Sequence, residues 1–296
     1  MKNPKVFIIV LHFGEPKNTE ECLKSLENLE YDNFETIVID NTKDNRGFAG
    51  GNNIGIKQAL EKGTDYVLLL NNDTIVKPGF LKKLVEAGEK DDKIGILGPV
   101  IKEYGSDKIH FVGGKINWLF TKGIHILSHP DVMSGNQPFQ PSSASPSETG
   151  RATINEVDYI TGACLLIKRE VIEKIGLMPE DYFFYCEDVD WCLKARKAGY
   201  KCIIVPTAKI WHKVSSSAKA ESFSYIYYHV RNGLLLAKKN APFFIKILAY
   251  LNSFLVYGKQ IIKLIILPSK NKWSKAIMLG IEDFYKRKFG KYENWH

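Results

Sequence analysis

The chain has 296 residues, 45% of them hydrophobic, enough to bury the core of one enzyme-sized domain with an appendage. Its 41 basic against 33 acidic side chains leave a net charge of +8, which favours anionic partners such as a nucleotide or a phospholipid surface. No arginine-rich tract or zinc-finger spacing accompanies that charge, which sets nucleic acid aside. The five cysteines, odd in number and without a C-x-x-C pair, suit reduced thiols in a cytosolic protein rather than a disulfide framework.

Val6 to Leu11 is an apolar run that reads as a buried strand ending at His12-Phe13-Gly14, and a chain that enters a strand at once carries no secretory signal. Asn18 with Glu21 three residues on forms a helix-start pattern, and Cys22, Leu23, Leu26 and Leu29 supply the apolar stripe of that helix. Thr36 to Ile39 is a second strand, ending in Asp40-Asn41. The order strand, helix, strand is a βαβ unit, so His12 and Asp40 are expected to end neighbouring strands at one edge of a sheet. A carboxylate there suits hydrogen bonds from a base or ribose, or simply caps a turn.

Asn45 to Gly55 (NRGFAGGNNIG) is rich in glycine and asparagine, and reads as a loop of close backbone approach followed by a helix through Leu60. Backbone N–H groups at that helix start suit a phosphate or a sugar, although the spacing is not the dinucleotide fingerprint. Tyr66 to Leu70 follows as a strand buried on both faces, running into Asn71-Asn72-Asp73. Open α/β sheets bind ligands outside the carboxyl ends of their strands, so Asp73 stands where a substrate belongs. It can hold a hard divalent cation that neutralises a diphosphate, or cap a turn.

Pro78 opens a helix to about Glu89, and Ile94 to Gly98 is a further strand. Gly113 to Trp118 reads as a short hairpin, and Gln137 to Gly150, rich in Pro, Ser and Gln, as a mobile surface loop or a lid over an acceptor site. Val157 to Ile167 is a strand leading to a helix from Arg169 to Ile175. After the aromatic run Tyr182 to Tyr185, the acids Glu187, Asp188 and Asp190 begin a helix that continues to Gly199. Acids in a first turn suit the helix dipole, but beside apolar neighbours they also acquire raised pKa values suited to general base work. Lys201 to Pro206 is the last strand, followed by Ile210-Trp211-His212.

Asn71-Asn72-Asp73, the Asn45 to Gly55 loop, Glu187-Asp188-Val189-Asp190-Trp191 and Trp211-His212, in this order, resemble family 2 glycosyltransferases, most closely the bacterial rhamnosyltransferase branch. The resemblance covers residues 5 to 240. It implies an α/β GT-A fold: a Rossmann-like mixed, mainly parallel sheet flanked by helices, here with a helical C-terminal extension. It implies a catalytic, nucleotide-sugar-binding domain over 1–220 and a helical region over 221–296. The implied reaction is metal-dependent inverting transfer of a sugar, L-rhamnose from dTDP-rhamnose, to a saccharide or lipid-linked acceptor in cell-surface polysaccharide synthesis. UDP-linked hexose or galactofuranose donors remain open alternatives. By position, His12, Asp40, Asn41, Asn45, Gly47, Asn53, Asn72 and Asp73 would contact the donor. Asp188, with Glu187 beside it, would be the base; Tyr185 and Trp191 would meet the acceptor; Asp73 and His212 would hold Mg²⁺ or Mn²⁺. Asn71 stands where many members carry a carboxylate. A sugar nucleotidyltransferase would want a glycine-rich loop bearing Arg and Lys after the first strand, which this chain lacks. A non-catalytic membrane scaffold would leave the acids without a task.

Phe223 to Asn240 reads as a helix. From Pro242 to Leu267-Pro268 the chain is long enough to span a bilayer, but Lys246, Lys259 and Lys263 interrupt it. Together with Asn252, Ser253 and Gln260 they share one face, the pattern of a helix lying in a membrane interface with its basic face toward anionic headgroups. The alternative is a helical hairpin packed on the domain or on a second copy of the chain. Location is expected to be cytoplasmic, peripheral at the inner face of the cell membrane.

Overall fold

The apolar runs become the centre of one mixed sheet. In the computed structural model, residues 3–118, 120–127, 156–213, 222–266 and 271–292 are described. Strand β1 (Val6–His12) pairs in parallel with β2 (Phe34–Asp40) on one side and β3 (Tyr66–Asn71) on the other. Helix α1 (Pro16–Leu26) joins β1 to β2, and α2 (Gly47–Glu61) joins β2 to β3. The register sets His12 opposite Asp40, so the first two strands end together as the sequence predicts.

After β3 come a short β4 (Thr74–Val76), α3 (Phe80–Gly88) and the long β5 (Ile94–Glu103). Beyond β5 lie β6 (Ile109–Phe111) and the hairpin of β7 (Gly114–Asn117) with β8 (Lys122–His125). Strands β9 (Glu156–Val157) and β10 (Cys164–Lys168), helices α4 (Arg169–Ile175) and α5 (Glu187–Lys197), and β11 (Lys201–His212) complete the sheet domain. The strand order is β2-β1-β3-β10-β5-β11-β4. β10 runs antiparallel between β3 and β5, which makes an otherwise largely parallel centre mixed. Every residue of β10 is buried, as a strand covered on both faces requires.

Four local expectations change. Helix α1 begins at Pro16 after Glu15, so Asn18 sits inside the first turn instead of capping it; proline at the first helical position needs no N–H partner. The glycine-rich stretch is the first half of α2, not a loop. A Cβ on Gly51 would stand 2.4 Å from Leu11 Cδ1, and one on Gly55 2.6 Å from Ile9 Cγ2, so these glycines let the helix lie close on β1. The strand predicted to stop at Pro206 continues to His212, because a bulge between Val205 and Lys209 absorbs the proline. The Val157 to Ile167 strand is two strands, β9 and β10, with a turn between them. The segment from Gln137 to Gly150, read as a surface loop or lid, lies outside the described residues.

The chain then enters three helices, α6 (Phe223–Asn240), α7 (Phe243–Ile266) and α8 (Asn271–Tyr285). Leu234, Leu235 and Leu236 of α6, with Ile281 and Phe284 of α8, join the main apolar core. Helices α7 and α8 form a hairpin. Ser253 Oγ lies 2.8 Å from Tyr285 Oη, Ser274 Oγ donates to Gln260 Oε1 at 3.0 Å, and Tyr257 Oη donates to Glu282 at 2.8 Å. Part of the polar arc of α7 packs on protein: Ser253 and Gln260 are buried and Lys246 and Lys263 half-buried, while Asn252 and Lys259 stay exposed.

Candidate active site

The turn at the end of β3 is built by side chains that hold it rigid. Asn72 Nδ2 donates to Phe13 O at 3.1 Å and to Thr19 Oγ1 at 2.9 Å, while Thr74 Oγ1 donates to Asn71 O at 2.7 Å. Thr19 Oγ1 also lies 2.6 Å from His12 Nδ1, so one hydroxyl links the end of β1, helix α1 and the Asn72 amide. β4 then pairs antiparallel with the end of β11, setting His212 opposite Thr74. Asp73, buried to 7% exposure, places Oδ1 2.9 Å from His212 Nε2. Lys213 N donates to Asp73 O at 2.8 Å, fixing the same turn from the β11 side. Two residues 139 apart in sequence are thereby brought into contact, a pairing that only the family resemblance implied.

Asp188 reaches the same rim by another route. It lies in the first turn of α5, where Gly162 N donates to its Oδ2 at 2.8 Å and Val189 N to its Oδ1 at 2.8 Å. Gly162 is followed by Ala163, whose carbonyl accepts from Asn71 N at 3.0 Å. Asp188 is thus tied through one short segment to the residue that opens the Asn71-Asn72-Asp73 turn. Asp188 is half-buried, whereas Glu187 beside it is buried. Burial raises the pKa of both carboxyls, and the charge of Asp188 raises that of Glu187 further; the two N–H donors pull Asp188 back down. Glu187 Oε2 is buried with no hydrogen-bond partner among the described residues, consistent with a carboxyl that keeps its proton.

The approach to these acids is strained. Phe183, Tyr185 and Cys186 have φ of 65°, 70° and 75°, a left-handed region costly for side chains with a Cβ. Two clamps hold it. Phe48 N, at the start of α2, donates to Phe183 O at 2.8 Å, and Gly47 (φ +71°) has no room for a Cβ, which would stand 2.2 Å from that oxygen. From the other side Asn232 Nδ2, on α6, donates to Tyr182 O at 3.0 Å, Phe184 O at 2.7 Å and Tyr185 O at 2.9 Å. Arg231 Nη2 adds a bond to Tyr182 O at 2.8 Å and stacks over Tyr228, 4.8 Å from its ring centroid.

A rigid mixed sheet thus carries a carboxylate–imidazole pair at the carboxyl end of β3 and a half-buried carboxyl tied to the same turn. The sequence profile described as "Glycosyltransferase like family 2" matches residues 2–231. The chain belongs to that family. This glycosyltransferase is 27% identical over 261 residues to the dTDP-rhamnosyl transferase RfbF of Shigella flexneri, covering 79% of each chain. It is 28% identical over 167 residues to the N-acetylglucosaminyl-diphospho-decaprenol L-rhamnosyltransferase of Mycobacterium tuberculosis, covering 56% of this chain and 52% of that one. In fold it resembles a mannosyltransferase of Pyrobaculum calidifontis solved with GDP-mannose and Mn²⁺. The TM-score is 0.55 at 14% identity, over 97% of this chain and 88% of that one. TarS of S. aureus gives a TM-score of 0.51 at 13% identity, over 86% of this chain and 43% of that one. The fold is GT-A.

Within the glycosyltransferase, the remaining predicted site residues divide. Asp40 is exposed; Thr42 donates to it from both its N–H, at 2.9 Å, and its hydroxyl, at 2.5 Å, which holds its carboxyl below the usual range. Asn41 and Asn45 brace the start of α2: Asn41 Nδ2 donates to Gly47 O at 3.1 Å, and Gly47 N donates to Asn45 Oδ1 at 3.0 Å. Asn53 is buried with its amide spent on Met178 O at 2.9 Å and Glu180 Oε1 at 2.7 Å, a latch between α2 and the 178–180 segment rather than a free donor contact. Trp191 is corrected. It is fully buried, its Nε1 donates to Gly176 O at 2.9 Å, and no sugar can reach it. Tyr185 is half-buried, stacked on His229 with ring centroids 4.3 Å apart.

The third acid of the cluster has a separate task. Asp190 is fully buried, accepts from Asn240 Nδ2 at 2.6 Å and faces Lys239 at 3.5 Å, pinning the end of α6. Sequence reasoning missed Thr19, Arg231 and Asn232. For the last two a signal existed: a cation and an amide inside an apolar helix are buried only when they hold something. His110 was missed as well; its ring lies edge-on to His212 at 5.6 Å.

Proposed function

We propose that this glycosyltransferase moves a sugar, L-rhamnose, from dTDP-rhamnose to a hydroxyl of a saccharide or lipid-linked acceptor, inverting the anomeric centre, in cell-surface polysaccharide synthesis. The observation that carries the reading is the joining of Asp188, through Gly162 and Ala163, to the rim that bears Asp73 and His212. The names of the rhamnosyltransferase relatives support the donor.

In this reading His12 and Asp40 flank the nucleotide at the ends of β1 and β2. The rigid Asn71-Asn72-Asp73 turn sets the diphosphate end of the donor. Asp188 accepts the proton of the acceptor hydroxyl while that oxygen bonds to the anomeric carbon. The bond from that carbon to the diphosphate oxygen breaks on the opposite face. A carboxyl raised by burial is a stronger base once ionised, and the part of half-buried Asp188 that still meets solvent is where an acceptor would approach. Burial raises the affinity of Asp188 for the proton, and the charge of Asp188 in turn keeps the neighbouring Glu187 carboxyl protonated. Tyr185, two residues before Glu187 and stacked on His229, offers an aromatic wall for a sugar acceptor.

Asp73 Oδ1 and His212 Nε2, already in contact, fit as oxygen and nitrogen donors to Mg²⁺ or Mn²⁺, and the imidazole ligand makes Mn²⁺ at least as suitable. Among the described residues no third His, Cys, Asp or Glu joins them, so a cation held there would complete its sphere with donor phosphate oxygens and water. When bound, it would supply charge compensation for the leaving diphosphate. The Mn²⁺ in the P. calidifontis complex supports that assignment.

A thermal-shift panel of dTDP, UDP and GDP with Mg²⁺ or Mn²⁺ tests the reading. Stabilisation by dTDP that requires the cation and is lost in Asp73→Asn is expected. Equal response to all three, or none to dTDP, overturns the donor assignment.

A further inference from the structure

Helix α7 is built inside out for a protein surrounded by water. Its Ser253, Tyr257 and Gln260 face α8, and its apolar ridge faces outward. Phe244 is 76% exposed, Leu255 75% and Ile265 75%, with Leu251, Phe254 and Ile262 between them on the same side. At 24 residues the helix presents this ridge along about 36 Å, far beyond the scattered apolar side chains of an ordinary surface.

Charge decides what covers it. Residues 222–281 contain Arg231 and eight lysines and not one carboxylate. The rest of the chain, with 32 cations against 33 acids, carries none of the net excess of +8. Lys259 borders the exposed ridge, and Lys272 and Lys275 are exposed beside it at the start of α8. Trp273, 39% exposed, stands between those two lysines, and Tyr285 stacks on Phe254 with ring centroids 5.3 Å apart. Apolar side chains flanked by Trp, Tyr and lysines match the layering of a bilayer surface, where acyl chains give way to anionic headgroups. A second copy of the chain would bring two acid-free, lysine-bearing segments together, which like-charge repulsion opposes. Among the described residues no helix is long and apolar enough to cross a membrane. The bonds from Ser253 and Gln260 to Tyr285 and Ser274 hold α7 flat along α8.

We propose that the outward face of α7 docks this chain on an anionic lipid surface, its apolar ridge inserted at the headgroup–acyl boundary and the lysines around it against the headgroups. As in the reading of α7 as an interfacial helix, the bilayer receives the apolar side; the difference is that α8 covers part of the polar arc. The inference does not rest on the choice of donor sugar.

Flotation of the full chain with vesicles of phosphatidylglycerol and phosphatidylcholine, against phosphatidylcholine alone, tests it. The chain is expected to float with the anionic vesicles, less so at high salt. Leu251→Glu with Leu255→Glu should abolish flotation while the melting temperature stays within a few degrees of the parent. Lys259→Ala, Lys272→Ala and Lys275→Ala should each weaken partitioning roughly 5-fold at low salt, the equivalent of about 1 kcal/mol per surface lysine. Absence of flotation overturns the proposal. So does a concentration-dependent dimer that the two glutamate substitutions dissociate, which would assign the ridge to a second copy.

Discussion

Asn232 is the side chain whose removal should reach the active site from farthest away. It touches neither Asp73 nor Asp188, yet its amide holds three carbonyls, Tyr182 O, Phe184 O and Tyr185 O, within 3.0 Å. The backbone it holds carries positive φ at Phe183, Tyr185 and Cys186, each costing about 1 kcal/mol or more, and leads directly into Glu187 and Asp188. Asn232→Ala removes an amide whose two N–H groups are shared among three carbonyls, each full bond being worth about 1 kcal/mol, and leaves buried acceptors behind, so a loss of about 2–3 kcal/mol is expected. For a domain of this size that lowers the melting temperature by about 5–10 °C. Asn232→Asp should be worse still, because an ionised carboxylate only accepts and would face three other acceptors. Melting curves give the stability, and transfer kinetics well below the melting temperature give the catalytic effect. There kcat should fall while the donor Kd holds, since the donor-side turn at Asn72 and Asp73 is untouched. An Asn232→Asp variant with parental melting temperature and kcat would refute the clamp.

Trp191→Phe should cost about 1 kcal/mol of stability through the lost bond to Gly176 O and leave the acceptor KM unchanged, as calorimetry and acceptor titration would show; a KM shift alone would return Trp191 to the site. Glu187 carries a pKa raised above its unfolded value, so the native state keeps a proton that the unfolded chain has lost, and stability falls as pH climbs through that interval. Glu187→Gln should therefore flatten the decline in melting temperature above the ordinary carboxylate range; an unchanged slope would show that Glu187 does not hold that proton.

Much of the fold was legible because buried strands write long apolar runs and turns follow them. Tyr66 to Leu70 ending in Asn71-Asn72-Asp73, and the helix from Phe223 to Asn240, are of this kind. The pairing of Asp73 with His212 was legible only through resemblance, since no local pattern announces a contact across 139 residues. The start of α2 was misplaced because glycine signals both a loop and a close approach, and here Gly51 and Gly55 serve the approach to Leu11 and Ile9. Trp191 was misassigned because an aromatic beside an acid looks the same in sequence whether it lines a cleft or a core. The orientation of α7 was not legible from its own residues. A polar arc and an apolar arc do not say which one meets protein until the partner is known, and here α8 offers Ser274, Glu282 and Tyr285 to the polar side.

Asp188→Asn is close to isosteric and removes the base, but it keeps one oxygen where Asp188 offers two. One of the N–H groups of Gly162 and Val189 therefore loses its acceptor, and a melting curve must accompany the kinetics. Transfer from the proposed donor, dTDP-rhamnose, to an acceptor hydroxyl should drop roughly 10²-fold or more, the usual contribution of a general base, with donor binding by calorimetry unchanged. Near-normal turnover in that variant would contradict the assignment of Asp188 and, with it, the proposed mechanism.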